Sequence, residues 1–353
     1  MIKSVLKRYM EGKRLSDTDL KILLNSKGDD REAIFEVARN VRNKYFGNEI
    51  FLYGFVYFST YCKNNCNFCF YRMNNTFPPR YRKSEEEIIN TAVRLAESGV
   101  HLIDLTMGED PYYHAHFYKL TDIVKRVKQE TGLPVMVSPG VVDKAGILQL
   151  AEAGADWYAL YQETHSEELF RKLRIGQDYN ERMECKKIAK QYGMLIEEGL
   201  LTGVGDTVEE RIHSLRVMQG MGTSQVRTMT FVPQKGTPME DIVQHDESDE
   251  LLNIAVMRLL FPDELIPASL DVDGLDGLRT RLMAGANVIT SIIPPLEGYA
   301  GVAQAEHDIN DGNRTVDGVR GTVNECGLVI ADAQDYKNWV SRRKQHECVS
   351  NWM

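Results

Sequence analysis

The chain has 353 residues, with 51 acidic against 42 basic side chains, a formal net charge of −9, 43% hydrophobic and 26% charged residues. This composition suits one large α/β domain or two ordinary ones, and it argues against a phosphate-tracking nucleic-acid surface. No apolar run reaches the roughly 20 residues of a membrane-spanning helix, and residues 1–14 lack the apolar centre of a secretory signal, so a cytoplasmic place with reduced thiols is expected.

Residues 15–46 read as a helical pair split near NSKGDD, with Ser16 capping the Leu20–Leu23–Leu24 face. A strand is expected over 50–58, and the stretch YFSTYCKNNCNFCFYR follows it directly. Ser84 opens a helix whose Glu85, Glu86 and Glu87 form a solvated first turn. One pattern then recurs, a helical stretch ending in Gly followed by a short apolar strand, as in RLAESGVHLIDLTMG, QLAEAGADWYALYQE and AKQYGMLIEEGLLTG. The further strands fall at about 101–107, 134–138, 157–163, 195–203, 225–231, 266–272 and 287–293. Eight strands alternating with helices predict a closed (βα)8 barrel, an α/β fold of the TIM type. Residues 1–48 form its N-terminal helical extension, 49–305 the barrel, and 306–353 a C-terminal loop and helix packed on it. Residues 294–327 read as loop-rich. A helix follows from about Ala333, with the cations of NWVSRRKQHE near its end, where the helix dipole favours them.

Three of the six cysteines, Cys62, Cys66 and Cys69, share one loop at the spacing Cys-x3-Cys-x2-Cys. Structural zinc takes four protein ligands, and an iron–sulfur cluster usually takes four thiolates, so three leave one metal position open. A zinc knuckle completed by a distant His or by Cys185, Cys326 or Cys348 is the plain alternative, with a non-catalytic zinc or iron–sulfur protein as its functional form. Tyr61, Phe68, Phe70 and Tyr71 make the loop aromatic, which suits a shielded redox centre instead.

This spacing, with Phe68 before the last cysteine, resembles the signature of the radical S-adenosylmethionine (radical SAM) superfamily. The resemblance implies that Cys62, Cys66 and Cys69 hold a 4Fe-4S cluster, and that S-adenosyl-L-methionine chelates the fourth iron. It also implies a low-potential electron donor such as ferredoxin or flavodoxin. After strand 2, Met107–Gly108–Glu109 stands where the superfamily has a Gly-Gly-Glu-like turn at the methionine amino group, with the first glycine replaced. The run ETH…LFRKLR…YNER is similar to the biotin synthase and hydrogenase-maturation branch, which implies cofactor roles for Glu163 and Arg182. GVGDT (with Val204) and FVPQKGTPM match that branch beside the adenine and ribose. Biotin synthase also needs a second cluster, and Cys185, Cys326 and Cys348 are not at strand ends, so sulfur insertion is disfavoured.

Period-two alternation along the strands sends Asp104, Arg227, Ser269 and Asp271 into the barrel, with their apolar neighbours facing the helices. Charges inside a barrel need compensation, from one another or from a ligand. Two anions and one cation complement a molecule with two ammonium groups and one carboxylate, such as L-lysine. HLIDLTMGED, SQVRTMTFVPQKGTPM and IPASLDVDG resemble radical SAM mutases that rearrange L-lysine to (3R)-3-methyl-D-ornithine, the first step of pyrrolysine biosynthesis. That resemblance implies a 5′-deoxyadenosyl radical and a lysyl radical that fragments and recombines. Rival readings are a hydrogenase-maturation type working on a sulfur-bearing amino acid, and a pyridoxal phosphate aminomutase, for which Lys235 in a loop is a poor Schiff-base residue.

Overall fold

The structure, a computed structural model, describes residues 1–271, 273–294 and 314–350. Eight parallel strands curl round one axis: β1 (Glu49–Ser59), β2 (Leu102–Met107), β3 (Val135–Ser138), β4 (Trp157–Ala159), β5 (Leu195–Thr202), β6 (Gln225–Thr230), β7 (Pro267–Ser269) and β8 (Val288–Ile292). They pair in the order β6-β5-β4-β3-β2-β1-β8-β7. The return from β7 to β6 is made by a parallel bridge between Gln225 and Leu265. There the Val226 N–H donates to Leu265 O at 3.0 Å and the Leu265 N–H to Ser224 O at 3.1 Å. The expected barrel is present, and this seam is pinned at its N-terminal end.

Two strands are shorter than expected. The chain leaves the sheet after Ala159, and Glu163 takes a left-handed backbone with φ 68°. β7 stops at Ser269, while Val272 and the boundary set at residues 305 and 306 lie outside the described residues. The expected pair over 15–46 is present as Asp17–Leu24 and Asp29–Phe46, and a further helix, Ile2–Met10, precedes it. Ser16 caps Asp17–Leu24 in a reciprocal box with Asp19, and Ser84 does the same with Glu87 for the helix Glu85–Ser98.

Alternation builds the barrel interior in layers. Phe51, Leu102, Met136, Trp157, Leu195, Leu265 and Val288 form an apolar floor. Two residues further along their strands come Asp104 and Glu197, and Arg227 and Ser269 face the same interior from β6 and β7, with Arg227 opposite Gly199 in register. The outward residues Ile103, Leu105, Val226, Ala268 and Leu270 join the larger core beneath the helices.

The C-terminal segment seals the floor. A short strand β9 (Val329–Ile330) pairs with the start of β1, and the helix Ala333–Ser350 follows it. From that helix the Tyr336 hydroxyl lies 2.8 Å from that of Tyr53, and Trp339 stacks on Trp157 at 5.9 Å and 3°. Its cations do not serve the helix end as expected, because the helix continues to Ser350. Instead Arg343 pairs with Asp263 and Glu264, and Lys344 with Asp156. Part of the stretch expected to be loop is the helix Val316–Glu325, which Thr315 caps and which buries Val316, Val319 and Val323. Gly318 and Gly321 weaken its helical signal in the sequence.

Candidate active site

With the floor sealed, the site lies at the C-terminal ends of the strands. Cys62, Cys66 and Cys69 line a cavity of about 260 Å³ there, together with Phe68, Gly108, Glu109, Glu163 and Arg182. Backbone hydrogen bonds fix the cysteine loop: Lys63 N–H to Glu109 O at 3.0 Å, Asn67 N–H to Leu173 O at 2.8 Å and Met73 N–H to Asn64 O at 2.7 Å. Gly108 is required beneath it, since a Cβ would stand 2.3 Å from Tyr61 O and 2.9 Å from Cys62 Cβ. Gly140 makes similar room for Glu109, whose Cγ would meet a Cβ at 1.7 Å.

A network of arginines ties this mouth together. Arg174 reaches Glu163 at 2.7 Å and lies over the Phe68 ring at 5.4 Å. Gln177 donates to Cys66 Sγ at 3.0 Å, and Arg174 to the same sulfur at 3.6 Å. Arg182 reaches Glu109 at 3.2 Å, Tyr161 O at 2.6 Å and Gln177 at 3.1 Å. It is 2% exposed, so it is no surface partner of Asp178 or Glu181. Burial and the nearby Arg174 push Arg182 down to about 10. Burial would raise Glu109, but Arg182 and Lys63 hold its carboxyl below the usual range.

Beneath it lies a belt of charge. Asp104, Glu197, Arg227, Asp271 and Arg314 are all buried. Arg227 gives its Nε–H to Glu197 at 2.9 Å. Asp271 accepts from Ser291 Oγ at 2.7 Å, from Ser269 Oγ at 3.3 Å and from Arg314 at 3.3 Å. Asp104 accepts from Thr106 Oγ1 at 2.9 Å. Burial, and then repulsion from Glu197, push the Asp104 carboxyl up from 3.8 to about 7 although Arg227 opposes the rise. Among the described residues, three carboxylates thus stand against two guanidinium groups.

The residues fit the implied cluster. Thiolate sulfurs bound to iron accept hydrogen bonds, and Cys66 Sγ already receives two while Cys62 Sγ receives the Asn64 N–H at 3.4 Å. Arg174 Nε and Arg182 Nε are buried without a protein acceptor, as suits a site for a ligand carboxylate. Cys185 instead faces Val142 O at 3.3 Å, and Cys326 belongs to the outer core. The Cys348 side chain lies outside the described residues.

Comparison with known proteins decides the family. Residues 56–242 match the model of the radical SAM superfamily. The chain belongs to the radical SAM superfamily. It is 46% identical over 331 residues to the 3-methylornithine synthase of Methanosarcina acetivorans, covering 94% of each chain. It is 33% identical over 269 residues to the [FeFe] hydrogenase maturase subunit HydE of Thermotoga maritima, covering 75% of this chain and 76% of that one. A crystal structure of methylornithine synthase (PylB) superposes with a TM-score of 0.91 at 45% identity, over 95% of this chain and 99% of that one. Within the superfamily the chain therefore belongs with the 3-methylornithine synthases.

As a radical SAM protein it gathers most of the residues expected at its site. Asp104, Arg227 and Asp271 line the cavity below the cysteines. Ser269 does not reach the lining; it sits one level down and holds Asp271. Val204 is also outside the lining and packs with Phe68 and Phe231 behind it. Sequence reasoning missed Arg174, Gln177, Glu197 and Arg314. Arg174 closes the quoted LFRKLR run, and alternation through LIEEGLL puts one of Glu197 and Glu198 inside. Arg314, forty-three residues after Asp271 in the chain, left no such signal.

Proposed function

We propose that the protein rearranges the carbon skeleton of L-lysine to (3R)-3-methyl-D-ornithine, the first step of pyrrolysine biosynthesis. The observation that supports this is the charge of the barrel belt. Asp104, Glu197 and Asp271 exceed Arg227 and Arg314 by one negative charge. Lysine, with two ammonium groups and one carboxylate, brings one net positive charge to balance it. Unpaired buried charge costs several kcal/mol, at about the scale that ligand selection needs.

When bound through Cys62, Cys66 and Cys69, the cluster with S-adenosyl-L-methionine supplies one-electron reductive chemistry and a radical able to remove a substrate hydrogen. Everything else is done by the chain. Phe68, Glu109, Glu163 and Arg182 would hold the cofactor, Gly108 would bring backbone close to it, and Val204 would support Phe68 from behind. Arg227 has its Nε–H engaged by Glu197 and one Nη1–H directed at Met229 Sδ at 4.0 Å, and would turn its remaining outer N–H groups to the lysine carboxylate. Asp271, aimed by Ser269 and Ser291, would take the α-ammonium. Asp104 would take the distant ammonium. A rearrangement breaks the substrate in two, so an anchor at each end keeps the fragments in register. Phe55, Tyr57 and Met229 on the cavity wall keep water and stray hydrogen donors away.

The test is anaerobic turnover of the reconstituted protein with lysine and S-adenosyl-L-methionine, read by chromatography and mass spectrometry. A product of unchanged mass and new retention is expected. Cofactor cleavage with lysine recovered unchanged would sink the assignment.

A further inference from the structure

The segment that carries the cysteines differs in charge from the rest of the molecule. Residues 50–84 contain no Asp or Glu, although 51 in 353 would give about five in 35 residues. They do contain Lys63, Arg72, Arg80, Arg82 and Lys83. Lys63 and Arg82 face Glu109 and Asp110. Arg72 and Arg80 give their N–H groups to backbone carbonyls, which leaves their charge uncompensated. Next to these half-buried arginines the exposed Lys235 lies 4.8 Å from the Phe77 ring centre. The same segment exposes Tyr61, Met73 and Phe77 by 40%, 54% and 57%. Apolar side chains amid uncompensated cations are the make-up of a protein-docking patch.

This patch is also wired to the site. The Met73 N–H donates to Asn64 O at 2.7 Å, and the Asn64 N–H donates to Cys62 Sγ at 3.4 Å. Two hydrogen bonds therefore link an exposed residue to a sulfur that would ligate the cluster. We infer that this face docks an acidic one-electron carrier protein, and that its electron enters along Met73, Asn64 and Cys62. The inference rests on the radical SAM reading and names the partner of that site. One electron leaves the carrier and enters the cluster; no bond or proton changes place. A net-negative enzyme repels acidic proteins generally, so a local cationic face is what would orient such a carrier. A transient contact of this kind needs less than about 1,200 Å² of buried surface.

The test uses the reconstituted holoenzyme and a flavodoxin of net negative charge as the probe. Affinity for oxidised flavodoxin is read from flavin fluorescence, and cluster reduction from visible bleaching, with dithionite as a small reductant for comparison. The double variant Met73→Glu/Lys235→Glu should bind flavodoxin at least about tenfold more weakly and be reduced by it correspondingly more slowly. Its iron content and its reduction by dithionite should match the wild type. Glu168→Lys should shift both flavodoxin readings the other way, because the Lys172 ammonium, whose residue meets the cysteine loop where its carbonyl accepts from Asn67, is now neutralised by Glu168. Unchanged flavodoxin affinity in both variants overturns the inference. So does equal loss with dithionite, which would place the damage at the cluster itself. Failure of dithionite-reduced wild type to cleave S-adenosyl-L-methionine would instead overturn the radical SAM reading, and the docking inference with it.

Discussion

Asp104→Asn tests the barrel belt most directly, because among the described residues Asp104 is the belt carboxylate without an ion pair, Glu197 and Asp271 being held by Arg227 and Arg314. Its carboxyl is raised from 3.8 to about 7, first by burial and then by Glu197, with Asp271 adding and Arg227 and Thr106 opposing. The unfolded chain releases this proton near 3.8 and the folded chain near 7. Between those values the folded state holds a proton that the unfolded state has lost, so this group lowers stability as pH rises from about 4 to about 7. The interval corresponds to about 4 kcal/mol. Asp104→Asn carries no such term. Without lysine it should therefore gain stability over wild type as pH climbs, and be more stable at pH 8 by up to about that amount.

Binding should show the opposite preference. An ammonium group needs the ionised carboxylate, and at about one pH unit below its midpoint only about a tenth of Asp104 is ionised. Lysine should then bind wild type about tenfold more weakly at pH 6 than at pH 8, with proton release visible as a buffer-dependent heat. Asp104→Asn should bind weakly at both values and release no proton. Calorimetric titration under anaerobic conditions measures each quantity. A wild-type affinity that is equal at pH 6 and pH 8 would refute the reasoning, since it would mean that no ammonium meets Asp104.

Replacing any of Cys62, Cys66 or Cys69 with Ala should remove the cluster absorbance and activity together, whereas Cys185→Ala and Cys326→Ala should leave iron per chain unchanged. Arg182→Ala should weaken S-adenosyl-L-methionine binding about tenfold with iron retained, as befits a charge-assisted contact of about 1.5–3 kcal/mol; unaltered affinity would confine Arg182 to its bond with Glu109. Lys186→Met should cost about 3–5 kcal/mol in urea unfolding. It strands the fully buried Glu198, which also accepts the Gln162 and Gly199 N–H groups at 2.7 and 2.9 Å. A loss below 1 kcal/mol would show that His165 suffices as its partner.

The parts of this molecule that were legible in the sequence are those fixed by local periodicity. Alternation in HLIDLTM and SQVRTMT needs only the pleat of one strand to send Asp104 and Arg227 inward, and the structure has both on the cavity wall. Helix starts at Ser16 and Ser84 needed only a cap and its partner three residues on. What could not be read depends on which strands become neighbours and on what packs from afar. Alternation alone leaves Arg227 free to meet an aspartate; closing β5 against β6 puts Gly199 beside it in register and Glu197 within 2.9 Å. Arg314 and the floor-sealing Tyr336 come from chain beyond the last barrel strand, where the alternation of the barrel does not apply. An incomplete set of these charges already points to lysine. Asp104, Asp271 and Arg227 leave one surplus negative charge, and the full belt adds one carboxylate, Glu197, and one guanidinium, Arg314. The two additions cancel, so the net charge that a ligand must match is unchanged. Glu197 pairs with Arg227 and Arg314 with Asp271, which leaves Asp104 as the belt carboxylate without a cation of its own among the described residues, and a ligand ammonium as its complement.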